Sequence, residues 1–184
     1  MNSRRKLLLG LGIAGGGLCL ISCVVLGALF FIFPSAYNAK LSSSSLQIGE
    51  TAPDFQLETL SGETVSLSQF RGRPVLLTLG ATWCPDCWRE APLLQRLHER
   101  QSNLVILMID SKEDAQTVQE YADKYGLTFP IALDLDGAVA DAYRVWAIPT
   151  ELLIDEKGVV RARIIERVTE DSLATMLEQA GITP

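Results

Sequence analysis

Residues 76–92 read LLTLGATWCPDCWREAP, and the stretch joins two unlike patterns. Val75 to Leu79, following Pro74, is a continuous apolar run, the pattern of a strand buried on both faces. From Pro85 to Arg100 the pattern becomes helical, with Leu93, Leu94 and Leu97 on one side and Pro92 predicted to interrupt and bend the helix. Cys84 and Cys87 sit at the junction. The first thiol there meets the free N–H groups and macrodipole of a helix N-terminus, which stabilise a thiolate. The second, one turn on, is placed to resolve a mixed disulfide. In such settings a thiol pKa falls from about 8.5 to roughly 3.5–7.5, and a CxxC pair beside a βαβ pattern is a redox signature. A zinc site needs four ligands, whereas the chain beyond residue 47 offers two Cys and one His, so no metal is expected. A disulfide over so short a loop makes a poor structural staple, and the two cysteines are expected to be exposed. His98 is expected to be a solvated surface group.

Outward from this junction the elements alternate. Asp54 to Leu57 and Thr64 to Leu67 flank a Ser61-Gly62 turn and predict a small hairpin. Leu104 to Ile109 is a second buried strand, followed by a helix from Glu113 to Tyr125 that stops at Gly126. Phe129 to Leu133 predicts a short strand and Gly137 to Tyr143 a short helix. Thr150 to Ile154 and Val159 to Ile165 are strands joined by the turn Asp155-Glu156-Lys157-Gly158. An amphipathic helix closes the chain from Glu170 to Ala180, with Leu173, Met176 and Leu177 facing in. The order β-β-β-α-β-α-β-α-β-β-α predicts an α/β fold with a mixed central sheet and helices on both faces.

The composition is segregated. Of 184 residues 48% are hydrophobic and the formal net charge is −6. Leu7 to Phe33 is an uncharged run of 27 residues, preceded by Arg4, Arg5 and Lys6. At about 1.5 Å per helical residue it is long enough to cross a hydrocarbon core of about 30 Å. The reading is a cytoplasmic N-terminus at 1–6, a signal-anchor helix at 7–33, a flexible tether at 34–47 and one folded domain at 48–184, placed outside the membrane by the cationic flank. Gly12 and Gly16 form a GxxxG pair, which is weak evidence of dimerisation. An alternative stays open, in which Leu20-Ile21-Ser22-Cys23 is a lipobox and Cys23 carries a lipid. Beyond the tether, 12 basic against 22 acidic residues leave the domain at −10, a balance that excludes a nucleic-acid footprint.

The active-site stretch 76–92 resembles that of thioredoxin-like proteins, and more narrowly the TlpA/ResA/CcmG group of membrane-anchored thiol-disulfide oxidoreductases. Three more stretches resemble that group: Gly49 to Phe55 (GETAPDF) its entry motif, Tyr143 to Thr150 (YRVWAIPT) its substrate loop, and Leu153-Ile154-Asp155 with Gly158 the strand and turn that follow. The resemblance implies a thioredoxin-like fold with an N-terminal β-hairpin extension and a central βα insertion between Leu104 and Tyr143. It implies Cys84 as nucleophile, Cys87 as resolving thiol and a cis Ile148-Pro149 bond facing them. Trp83, Pro85, Trp146, Ile148 and Pro149 then form the substrate-docking surface. Glu90, half-buried, takes or gives the Cys87 proton.

The function so implied is an extracytoplasmic protein disulfide reductase with no cofactor beyond its own redox-active disulfide. Its clients are extracytoplasmic protein thiols and disulfides, apocytochrome c among them, and its electrons come from a membrane thiol donor of the CcdA/DsbD type. Two departures stand out. Thr78 occupies the position of thioredoxin's buried aspartate, so the proton route must differ. Trp88 stands where a cation is common, and Asp86 adds a negative charge between the cysteines. Both point to a reducing couple, nearer about −270 mV than about −120 mV. Two other functions fit less well. A peroxiredoxin-like enzyme would need Pro at Leu77 and Thr at Ala81, and a Sco-like copper chaperone would need CxxxC and a histidine after His98.

Overall fold

The computed structural model describes residues 46–182. The expected anchor, the lipidation alternative at Cys23 and most of the tether lie outside the described residues. Among the described residues, no helix is long and apolar enough to cross a membrane. The elements are β1 (Gln56–Glu58), β2 (Thr64–Ser66), β3 (Val75–Gly80), α1 (Pro85–Arg100), β4 (Val105–Ser111), α2 (Ala115–Tyr125), β5 (Ile131–Asp134), α3 (Ala138–Ala142), β6 (Thr150–Ile154), β7 (Val160–Ile165) and α4 (Glu170–Gln179), in the expected order.

The main sheet runs β5-β4-β3-β6-β7. β3 is parallel to β4 and β4 to β5, whereas β6 is antiparallel to β3 and β7, so the sheet is mixed. β3 is its centre, and every one of its residues is buried. Side chains alternate across a strand, and the two faces collect different partners. Leu77, Leu79, Leu107, Ile109, Leu152 and Ile154 join a core with Phe55, Leu67 and Tyr143. Leu76, Ile106, Met108 and Leu153 join the other, with Leu94 of α1, Val118 of α2 and Leu173 of α4. Three helices thus cover one face, and α3 with the N-terminal hairpin region covers the other. Each fully buried leucine or isoleucine contributes about 1.5–3 kcal/mol of transfer free energy.

Several boundaries differ from the sequence expectation, each for a local reason. Leu67 does not extend the hairpin strand. It begins a 3-10 helix, Leu67–Phe70, where Ser66 and Gln69 form a reciprocal capping box and Leu67 is wholly buried. α1 runs uninterrupted through Pro92. α2 starts at Ala115 rather than at 113, because Asp114 is its N-cap and accepts the Thr117 N–H at 3.0 Å. It ends at Gly126, whose φ of 63° is left-handed. β5 begins after Pro130, which has no N–H to give to a ladder.

Leu152 sits wholly buried on β6 between β3 and β7. Leu152→Ala is expected to lower stability by about 2–5 kcal/mol. In urea unfolding this appears as a lower midpoint with an unchanged slope.

Candidate active site

The redox pair occurs where the sequence reading places it. Cys84 is the N-cap of α1, in extended conformation, and Pro85 fills the first helical position, where no N–H is needed. The Cys84 Sγ accepts the Cys87 N–H at 3.2 Å. The two cysteines form a disulfide with a Cα–Cα separation of 5.3 Å. Gly80, the last residue of β3, lies directly beneath, and a Cβ there would sit 3.2 Å from the Cys87 Sγ. From α2, the Tyr121 hydroxyl donates to the Cys87 carbonyl at 3.2 Å.

Contrary to expectation, the cysteines are not exposed. Cys84 is 4% and Cys87 2% accessible, because the pair is folded against the end of β3. What is exposed is the rim. Trp83 and Trp146 are 65% and 67% accessible, so neither is a core residue. They line a groove of about 630 Å³ with Gly80, Lys112, Val145 and Ile148. A second groove, about 610 Å³, runs along Trp146, Ile148, Pro149 and Arg167. The Ile148-Pro149 bond is cis. Thr150 pairs with Leu79 in the β3–β6 ladder, which sets Pro149 beside Gly80.

The charges around the pair correct the sequence picture. Asp86 is exposed, 2.7 Å from Arg89 and 3.9 Å from Arg167, so its negative charge has cationic partners. Trp88 donates its indole N–H to the Thr82 carbonyl and carries the Lys124 Nζ 5.4 Å above its ring. The premise of a cation-poor site, used to infer a reducing couple, therefore does not hold as stated. His98 is half-buried rather than solvated, edge-on to Phe129 at 6.0 Å, and it takes no part in the site.

Glu90 is more deeply placed than expected. It is 1% accessible, not half-buried, and lies one helical turn after Cys87. Its Oε2 accepts the Val168 N–H at 3.1 Å. Burial pushes its pKa up to about 7 against the opposing pull of that N–H and a side-chain hydrogen bond with Glu151. Two further carboxyls escaped the sequence reading. Glu151 on β6 and Asp110 at the end of β4 are both wholly buried. Burial, with the nearby Glu113 charge, pushes Asp110 up to about 8. Glu113 takes two hydrogen bonds from Thr82, from its N–H at 2.5 Å and its hydroxyl at 2.6 Å, and so holds the loop leading to Trp83. A signal for both buried acids exists in the sequence, since each is a charge set at the edge of or within an otherwise apolar strand.

The arrangement explains the departure at Thr78. Thr78 lies in register between Met108 and Glu151, and Asp110 pairs with Gly80 two residues further along, on the same face. Buried acid is absent from β3 itself and present on both strands that flank it.

Asp110 makes a pH-dependent prediction. Its folded pKa exceeds the unfolded value, so the folded chain binds more protons between about pH 4 and about pH 8. Its contribution to stability is therefore fully present below pH 4 and lost as pH rises through 8. Asp110→Asn is expected to remove this loss and be more stable than the wild type at pH 8.5, by on the order of 1–3 kcal/mol, and near-equal at pH 4. Urea unfolding at the two pH values measures it.

Known proteins agree with this geometry. Residues 48–163 match the AhpC/TSA family. Over 161 residues the chain is 35% identical to the thiol-disulfide oxidoreductase ResA of Geobacillus kaustophilus, covering 86% of this chain and 91% of that one. It is 37% identical over 137 residues to the thioredoxin-like protein YneN of Bacillus subtilis, covering 72% and 80%. Among solved structures, a secreted Mycobacterium tuberculosis disulfide oxidoreductase homologous to E. coli DsbE superposes with a TM-score of 0.63 at 25% identity, covering 70% of this chain and 96% of that one. With its buried CxxC disulfide at a helix N-terminus on a thioredoxin-like sheet, this chain belongs to the AhpC/TSA family and is a thiol-disulfide oxidoreductase of the ResA-like group.

Proposed function

We propose that the chain is a membrane-tethered protein disulfide reductase working on the outer side of the membrane, with cytochrome c maturation as its setting. The observation that carries this reading is the Cys84–Cys87 disulfide itself, capped on α1 beside a rim of exposed tryptophans and above a buried carboxyl. The uncharged run 7–33 and its basic flank support the tether and its orientation.

In the working direction the reduced chain begins with a Cys84 thiolate, favoured by the N-terminus of α1. It attacks a client disulfide, so that one S–S bond breaks, a mixed disulfide forms and a client thiolate leaves. Cys87 then gives its proton to Glu90 and attacks the Cys84 Sγ, releasing the second client thiolate. Two electrons pass to the client, whose two thiolates take protons from solvent, while the Cys87 proton rests on Glu90 and the chain is left in its disulfide form. A membrane dithiol of the CcdA/DsbD type restores it, and no cofactor beyond the cysteine pair is required. Trp83, Trp146, Ile148 and Pro149 hold the client strand across the two grooves, and Pro85 fixes the helix start under it.

Apocytochrome c with an oxidised CxxCH site is the client class this reading names. Cys84→Ser is expected to abolish reduction of such a peptide disulfide. Cys87→Ala is expected to accumulate a covalent Cys84 adduct, seen as a mass increase that thiol reductant removes. Glu90→Gln is expected to slow resolution of that adduct about a hundredfold with the first attack intact. Capture of unrelated proteins alone by Cys87→Ala in cells would remove the cytochrome assignment and leave a general reductase.

A further inference from the structure

Glu151 is a charged residue type in the middle of a buried strand, two residues past Pro149, and the mechanism above does not use it. It is 0% accessible, and it faces α1 because it shares a sheet face with Thr78 and Leu153. Its carboxyl is a neighbour of that of Glu90, and each acts on the other's titration. Glu90 Oε1 and both Glu151 oxygens are buried and meet no N–H or hydroxyl donor of another residue. Two carboxylates are acceptors only, so a hydrogen bond between them requires a proton on one. Like charges this close in an apolar site cannot both ionise.

The surroundings decide which group holds the proton. Glu90 accepts the Val168 N–H and lies in the field of Arg167, both of which favour its charged form. Asp86, on its own helix, opposes this more weakly than burial does. Tyr121 of α2 faces Glu90 as a neutral phenol, its titration driven well upward by burial, and Asp110 of β4 also faces Tyr121. From β3, Thr78 contributes a hydroxyl, and from β7 the register partner of Glu151 is Ile164, which is apolar. Glu151 has no cation beside it, and burial with the Glu90 charge drives its titration far above the usual carboxylate range.

We propose that Glu151 is a neutral, buried hydrogen-bond donor to Glu90, the positioning residue that keeps Glu90 able to take and return the Cys87 proton. Without that donor, Glu90 would face only the Val168 N–H in a site that disfavours charge, and it would stay protonated through neutral pH. The O–H of Glu151 lets a carboxylate exist there, while burial keeps its proton affinity near that of a thiol. In the resolving step the Cys87 proton moves to Glu90, the pair goes from one negative charge to none, and the proton later leaves to solvent. Glu151 keeps its own proton throughout.

The inference rests on the role given to Glu90 above, and two readouts separate them. The first is the pH profile for resolution of a Cys84–peptide mixed disulfide in the full-length chain. Glu151→Gln, whose amide also donates, is expected to keep the wild-type midpoint. Glu151→Leu is expected to move it at least one unit alkaline and to slow resolution at pH 7 about tenfold or more. An unchanged profile in Glu151→Leu would overturn the proposal, as would a Gln variant as slow as the Leu variant. The second readout is the infrared carbonyl band of a protonated carboxyl in an Asp110→Asn background at pH 8, expected with Glu151 present and lost in Glu151→Gln. Its absence with Glu151 present also overturns the proposal. If the chain with Glu151 and Glu90 intact resolves no adduct, the reading of Glu90 fails, and the band still decides the state of Glu151.

Discussion

The active site depends on one close approach, that of the Cys87 sulfur to the backbone of Gly80. A side chain at residue 80 would begin 3.2 Å from that sulfur, tighter than packed atoms ordinarily sit, so a larger residue would displace the Cys87 sulfur by a few tenths of an ångström. With glycine there, the first turn of α1 settles onto the end of β3, the most buried strand of the sheet. Cys84 becomes the cap, Pro85 loses no hydrogen bond, and Tyr121 ties the Cys87 carbonyl to α2. The same contact turns the redox pair inward, which is why a reactive disulfide is nearly inaccessible while the tryptophans beside it are not.

Carrying α1 inward brings Glu90 with it, and an isolated buried carboxylate would cost several kcal/mol. The structure does not neutralise this acid with a buried cation. It sets a second acid beside it, with a third on β4, and burial raises the titration of all three. Such an arrangement is a poor stabiliser of the fold and a good match for a thiol, whose proton affinity lies near neutral pH. Buried acid thus stands on both strands flanking Thr78 and not on the central strand itself.

The order of elements and the redox pair were legible in the sequence because both are local signals. The apolar run 75–79, short and bounded by Pro74 and Gly80, has the length and flanks of a buried strand, and a CxxC at a strand-to-helix junction has few other uses. The 3-10 helix at 67–70 was not legible, since four residues carry no period and its cap is a Ser66–Gln69 pair inside an apparent strand. The depth of Cys84, Cys87 and Glu90 was not legible either, because it follows from docking α1 on β3, and helix periodicity does not state how far one end sinks. Asp110 and Glu151 were missed for a related reason. A charge in a strand of mostly apolar residues reads as a tolerated exception until the register places it next to Gly80 or Thr78.

Separating an exposed rim from a buried sulfur pair has a consequence for selectivity. With Cys84 and Cys87 only 4% and 2% accessible, the pair presents little for a small thiol to strike. Under the proposed function, an extended client segment lying in the two grooves would meet Trp83 and Trp146 before its disulfide reaches Cys84. Aromatic side chains at an exposed rim supply contact area with little rotamer entropy to lose. The grooves carry charges of both signs, Lys112 with Asp141 at one and Arg167 with Asp86 and Glu166 at the other. In the proposed function, discrimination would reside in the loops 81–83 and 145–149, and proton and electron transfer on β3, α1 and β6. Glu113, through its two bonds to Thr82, is the link that holds the first of those loops in register with the chemistry beneath it.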